Sequence, residues 1–100
     1  MRNLTNEIKV EIKELVFGYL AEECELDISD IQDDKNVVDD LDGDSLMFVG
    51  VVELLRKKYD LSIEMQSIAQ YLLRNPAKTV RDVVDVCCLV YEKENDIIDA

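Results

Sequence analysis

Asp39-Asp40-Leu41-Asp42-Gly43-Asp44-Ser45-Leu46 closes a long acidic stretch, and directly after it apolar residues recur at Phe48, Val51, Val52, Leu55 and Tyr59. Spacings of three, one, three and four put those side chains on one face of a helix, so the change from acidic connection to helical period falls at Ser45. The spacing predicts a helix over 45–59 whose stripe faces a core. Its remaining face carries Leu46, Val49, Gly50, Glu53, Arg56 and Lys57, which leaves two apolar residues near Ser45 pointing away from that core.

Working outward, the same period appears on both sides. Upstream, Ile8, Ile12, Leu15, Val16, Tyr19 and Leu20 make one apolar face between Thr5 and about Glu23, with Lys9, Glu11, Lys13 and Glu14 largely off it. Between that helix and Ser45 runs a connection from about Cys24 to Asp44, in which Leu26, Ile28, Ile31, Val37, Val38 and Leu41 interrupt the acids. It is expected to pack onto the bundle, and a connection of that length in a small domain is often functional. Downstream, a shorter helix is expected from about Met65 to Leu73, broken by Asn75-Pro76. Thr79-Val80-Arg81-Asp82 then offers a capping hydroxyl with an acid three residues on, a capping box in which Asp replaces Glu. Val80, Val83, Val84, Cys87, Cys88 and Tyr91 continue it as a last helix. The expectation is an all-α four-helix bundle over 1–91 with a long first loop, followed by a frayed tail over 92–100.

One hundred residues suffice for one core and leave no room for a separate catalytic domain. A 48 % hydrophobic content excludes a disordered acidic chain, and three Gly and one Pro leave long stretches free of breakers. Eleven basic against 23 acidic residues give a net charge of −12, which repels phosphate backbones and anionic lipid surfaces. Neither nucleic acid nor membrane insertion is expected; docking proteins should present Lys and Arg, unless the acidity serves solubility alone. The absence of histidine removes the commonest general base and metal ligand, so no catalytic or metal site is expected. Cys24, Cys87 and Cys88 lack metal-ligand spacing and are expected to be buried free thiols. The first residues do not lead into a secretory stretch, which suits a cytoplasmic monomer.

The segment around Ser45 admits three readings. As a calcium loop starting at Asp40, Asp42 and Asp44 fall at ligand positions, but Ser45 takes the glycine place and Val51 that of the bidentate Glu; starting at Asp39 puts Leu41 at a ligand position. As a helix cap, Asp44 or Ser45 is an ordinary choice. A capping serine also stands at the positive end of a helix, where a phosphate is well tolerated. Capping is therefore compatible with the third reading, a phosphate attachment point.

Asp44-Ser45-Leu46 at the head of a helix, after a long acidic loop, resembles the attachment motif of acyl carrier proteins. Ile28-Ser29-Asp30-Ile31 through Val38-Asp39-Asp40-Leu41 resembles that family's first loop, Tyr59-Asp60-Leu61-Ser62-Ile63 the end of its second helix, and Thr79-Val80-Arg81-Asp82-Val83-Val84-Asp85 its last helix. The resemblance implies that Ser45 accepts 4'-phosphopantetheine from coenzyme A through a magnesium-dependent phosphopantetheinyl transferase. It also implies that the chain is no enzyme, and that it carries acyl groups as thioesters among acyl-transferring, condensing or ligase enzymes of fatty acid, polyketide or related biosynthesis. Asp44 would help present Ser45 to the transferase and its metal. Leu46, Met47, Val49, Gly50, Glu53, Arg56 and Lys57 would form the partner face.

Two departures qualify the resemblance. Fatty-acid carriers commonly have acids where Met47, Gly50, Arg56, Lys57 and Lys58 stand here. Asp42-Gly43-Asp44-Ser45-Leu46 and Leu73-Arg74-Asn75-Pro76 lean toward carriers of polyketide or peptide assembly, so an aminoacyl or peptidyl carrier is an alternative. An unmodified acidic helical adaptor docking through Leu46, Met47 and Val49 is another.

Overall fold

Thr5 starts the first helix: its hydroxyl accepts a hydrogen bond from the Ile8 N–H at 3.2 Å, filling one of the donors that every helix start leaves open. In the computed structural model, which describes residues 3–37, 39–40, 46–94 and 97, helix α1 spans Asn6–Glu23. Its face Ile12, Val16 and Leu20 is fully buried. The helix ends without glycine. Glu25 takes a left-handed φ of 56°, and the Leu26 and Glu25 N–H groups donate back to the Ala21 and Glu22 carbonyls, a Schellman closure.

Helix α2, Leu46–Tyr59, ends the same way, with Asp60 at φ 52° and the Leu61 N–H donating to the Arg56 carbonyl. Leu61 is then buried, which supplies the apolar contact such closures favour. Helix α3, Met65–Arg74, stops before Asn75-Pro76 and buries only Ile68 completely enough to join the core. Helix α4, Val80–Lys93, opens with the capping box expected for it: Asp82 N–H donates to Thr79 Oγ1, and Asp82 Oδ2 accepts from the Thr79 N–H at 3.1 Å and the Lys78 N–H at 3.0 Å. Those two bonds hold the Asp82 carboxyl below the usual carboxylate range.

The four helices enclose one core, in which α1 packs on α2 and α4, and α2 packs on α4. No strand occurs among the described residues, so the chain is an all-α bundle. Tyr59 ties three helices together. Its hydroxyl donates to Glu11 Oε1 on α1 at 2.8 Å, and its ring meets Tyr91 of α4 edge-on at 4.9 Å. Burial and the Glu11 carboxylate both push the Tyr59 hydroxyl pKa upward, so it stays a donor.

The long connection is anchored to the bundle as expected, through a short 3₁₀ helix, Ile28–Asp30, and through buried Ile31 and Val37. Its second half is sewn to the start of α4. Val37 N–H donates to the Lys78 carbonyl, Val80 N–H to Lys35 and Arg81 N–H to Asp33, around an antiparallel bridge between Asn36 and Thr79.

Several positions differ from expectation. Only Cys87 is a fully buried thiol; Cys24 and Cys88 are half-buried. Cys88 turns toward a groove of about 370 Å³ between α1 and α4, lined also by Leu4, Val10, Val84 and Leu89, because its place on α4 lies off the innermost line of Val83, Cys87 and Val90. Helix α4 continues past Tyr91 to Lys93. Beyond it Ile97 is fully buried, and the Glu94 carboxylate accepts from the Ser62 N–H, so part of the segment read as a frayed tail packs against the bundle.

Candidate functional site

Ser45 and Asp44, with Leu41, Asp42 and Gly43, lie outside the described residues, and Leu46 is described as the first residue of α2 without its side chain. The elements on either side of that segment are well defined. Behind it, α2 starts at residue 46 with Leu46, Met47, Phe48 and Val49 and has no acid in its first turn, while Arg56, Lys57 and Lys58 occupy its last. The first turn of α2 thus carries no acid, and its basic last turn stands at the negative pole of the helix dipole. A phosphodiester on the residue preceding Leu46 fits the positive end.

Ahead of the segment stands a hydrogen-bonded clasp. The Asn36 N–H donates to Asp40 Oδ2 at 2.8 Å, the Asp39 N–H donates to Asn36 Oδ1 at 2.9 Å, and the Asp40 N–H donates to the Asn36 carbonyl at 2.9 Å. Asn36 was not singled out in the sequence, and Asp40 was considered only as a calcium-loop position and as part of the acidic loop. An Asn followed by acids three and four residues on, Asn36-x-x-Asp39-Asp40, is the signal that could have found them, since it has the form of a helix cap.

The expected partner face is smaller than the sequence suggested and partly different. Met47 is 9 % exposed and belongs to the core, beside Leu20, Val37, Phe48, Val51 and Val83, because the turn of the helix brings it round to the Val51 side. Gly50 is covered by Tyr19 of α1: a Cβ built there would lie 2.7 Å from Tyr19 Cζ and closer still to the hydroxyl. Tyr19, counted as part of the α1 core stripe, is half-buried against α2. Val49 stays 42 % exposed, and Leu54, not anticipated, is 40 % exposed. Glu53 and Arg56 are half-buried and joined, with Arg56 Nη2 2.8 Å from Glu53 Oε2. That hydrogen bond holds the Glu53 carboxyl below its usual range. Lys58 lies 3.8 Å from Glu11. Of the three consecutive cations, only Lys57 makes no ion pair among the described residues.

No group of acids, cysteines or histidines among the described residues could hold a metal ion, and no helix described is long and apolar enough to cross a membrane. Against known proteins, the family described as "Phosphopantetheine attachment site" matches residues 14–86. A curated protein of Clostridium acetobutylicum named "Acyl carrier protein homolog" is 56 % identical over 97 residues, which cover 97 % of this chain and 94 % of that protein. The chain belongs to the acyl carrier protein family. It is a carrier and not an enzyme, and its prosthetic group is covalently bound 4'-phosphopantetheine. A carrier of this family works with a transferase that loads it and with acyl-handling enzymes. No solved structure matches the chain.

Proposed function

We propose that Ser45 is the residue that carries 4'-phosphopantetheine, and that the loaded chain serves a specialised branch of acyl assembly instead of housekeeping fatty acid synthesis. The observation that supports the first part is the start of α2 at Leu46, immediately after Ser45, with no acid in its first turn. An anion attached there is stabilised by the open N–H groups and the dipole of a 14-residue helix. Transfer joins the Ser45 oxygen to the pantetheine phosphate as the bond from that phosphate to the nucleotide of coenzyme A breaks, with the hydroxyl proton passing to the transferase. Once attached, the group supplies a flexible arm ending in a thiol, which holds acyl groups as thioesters. Asp44 stands beside Ser45 to help present it to the transferase and its metal.

The second part rests on the charge of α2. Val49, Leu54, Glu53 and Lys57 remain on its outer side, with Leu46 at its head, and this mixed surface lacks the continuous row of acids that a basic docking patch would meet in a fatty-acid carrier. Carriers of polyketide or related assembly are the better match. The decisive experiment is the intact mass after incubation with coenzyme A and a broad-specificity transferase. One added phosphopantetheine is expected for wild type and none for Ser45→Ala; equal loading of the mutant would refute Ser45.

A further inference from the structure

We propose that the outer side of α2 docks an acyl-handling enzyme through apolar contact at Val49 and Leu54 and a partner carboxylate facing Lys57, the reverse of the polarity with which a row of acids meets a basic patch. This deepens the reading of the chain as a loaded carrier of specialised acyl assembly, and rests on it. Helix α2 carries three bases against one acid, in a chain with 23 acids against 11 bases. At about 3.6 residues per turn, Gly50, Glu53 and Lys57 run in one line along the helix, with Val49 to one side and Leu54 to the other. Val49 and Leu54 are the large apolar residues that α2 leaves exposed. Between them Gly50 projects nothing, and the half-buried Tyr19 ring of α1 fills its flank, so no side chain of α2 rises there to keep a partner off. Glu53 is held by Arg56 at 2.8 Å and Lys58 lies 3.8 Å from Glu11, which leaves Lys57 as the cation of this helix with no ion pair among the described residues.

Charge complementarity selects the occupant. A basic patch would meet Lys57 as a like charge and find Glu53 already held by Arg56, whereas a carboxylate would meet a cation that has no carboxylate of its own. The net charge of −12 repels an acidic enzyme at long range, but at about 0.15 M salt the screening length is about 8 Å, so the charges of the face itself decide. The apolar pair then supplies contact and Lys57 supplies choice between partners. A second copy of the chain is less suited, because it brings the same −12 and would set Lys57 on the same two-fold interface as its own counterpart.

The test uses the phosphopantetheinylated full chain as acceptor. The probes are an acyltransferase of fatty acid synthesis that docks carriers through lysine and arginine, and the same enzyme with one docking cation changed to Glu. The readout is the ratio of kcat/KM for the two probes at about 0.15 M and about 1 M salt. At the lower salt, Lys57→Glu should speed transfer from the unaltered probe and slow it from the altered one, each by about two- to fivefold, the range of an exposed ion pair. At the higher salt both effects should vanish. Lys57→Arg should keep the wild-type ratio. Val49→Ser and Leu54→Ser should slow both probes at both salt concentrations. Lys9→Glu changes an exposed cation on the α4 side of α1, by the same charge, and should leave the ratio alone. An unmoved ratio in Lys57→Glu, an equal shift in Lys9→Glu, or unchanged rates in both serine variants would overturn the proposal. So would sedimentation of the chain as a dimer that Lys57→Glu dissociates, since a second copy would then cover this face. Loading of Ser45→Ala would remove the assignment of Ser45 and leave these ratios as they are, so the two failures are distinguishable.

Discussion

Lys57 and Arg56 are neighbours in sequence, and in isolation each reads as a cation on the docking helix. The fold separates them. Arg56 is bonded to Glu53, three residues back, so the two charges form a neutral pair, whereas Lys57 makes no ion pair among the described residues. Rim charges act mainly on encounter rate, and that action scales with net charge at the face. Removing the pair as Glu53→Ala with Arg56→Ala should leave acyl transfer onto the loaded carrier within about twofold of wild type, because the net charge is unchanged. Lys57→Glu should accelerate transfer from an enzyme with a basic docking patch at low salt. Stopped-flow transfer rates at two ionic strengths test this; equal rates for Lys57→Glu and wild type at low salt would show that the charge of this face does not select partners. The sequence gives the charges of 56–58 but not their pairing, because pairing depends on which rotamers reach Glu53 and, across the bundle, Glu11. Met47 was hidden for a related reason: the apolar stripe read from Phe48 onward omits the residue one turn before Val51.

At the scale of the element, Gly50 shows how a helix residue can be chosen by its neighbour. Alanine would favour the helix by about 1 kcal/mol, but the added carbon would meet the Tyr19 ring at 2.7 Å, and overpacking of that kind costs about 1–3 kcal/mol. The clash should win. Gly50→Ala is expected to lower stability by about 1 kcal/mol in wild type and to raise it when Tyr19 is first changed to Leu, a sign reversal that a double-mutant cycle in urea reads directly. Additive effects would mean that Tyr19 does not fill this space. The capping box of α4 gives a second test. Asp82 has a carboxyl pKa depressed by the Thr79 and Lys78 N–H bonds, so its contribution is present above the ordinary Asp value and is lost as pH falls through the folded one. Asp82→Ala should therefore be about 1 kcal/mol less stable than wild type at pH 7, with the gap narrowing in acid. A gap that stays constant down to pH 3 would exclude the charged cap. This box was legible in advance because Thr79 and Asp82 are local partners. The Asn36–Asp40 clasp is equally local but sits in a loop without helical period to draw attention to it.

For the whole molecule, the helix pattern was readable because each apolar stripe repeats at helical spacing, while the closures at Glu25 and Asp60 were not, since left-handed ends without glycine carry little sequence signal. Ile97 escaped as well, because it stands in a short Ile97-Ile98 pair flanked by Asp96 and Asp99, with no helical period around it. What composition does state for the whole chain is its charge. A net −12 is spread over a body 34 × 29 × 20 Å. At 0.01 M ionic strength the screening length of about 30 Å spans that body, so every carboxylate feels the others; at 0.15 M it is about 8 Å and only neighbours interact. Folding gathers these charges, so repulsion weakens the native state most at low salt. Screening also weakens the ion pairs Lys13–Asp33, Arg56–Glu53 and Lys58–Glu11, but they lie at the surface, where such pairs contribute little. Relief of repulsion should dominate, and the melting temperature should rise by several degrees between 0.01 and 0.15 M sodium chloride, given that 1 kcal/mol corresponds to about 4–8 °C at this size. The same salt should slow encounter with any partner that docks through lysine and arginine. Stability and docking rate are thus expected to move in opposite directions over one titration. Melting that is flat or falls with salt would show that the carboxylates lie far enough apart, or well enough paired, for net charge to be irrelevant to the fold.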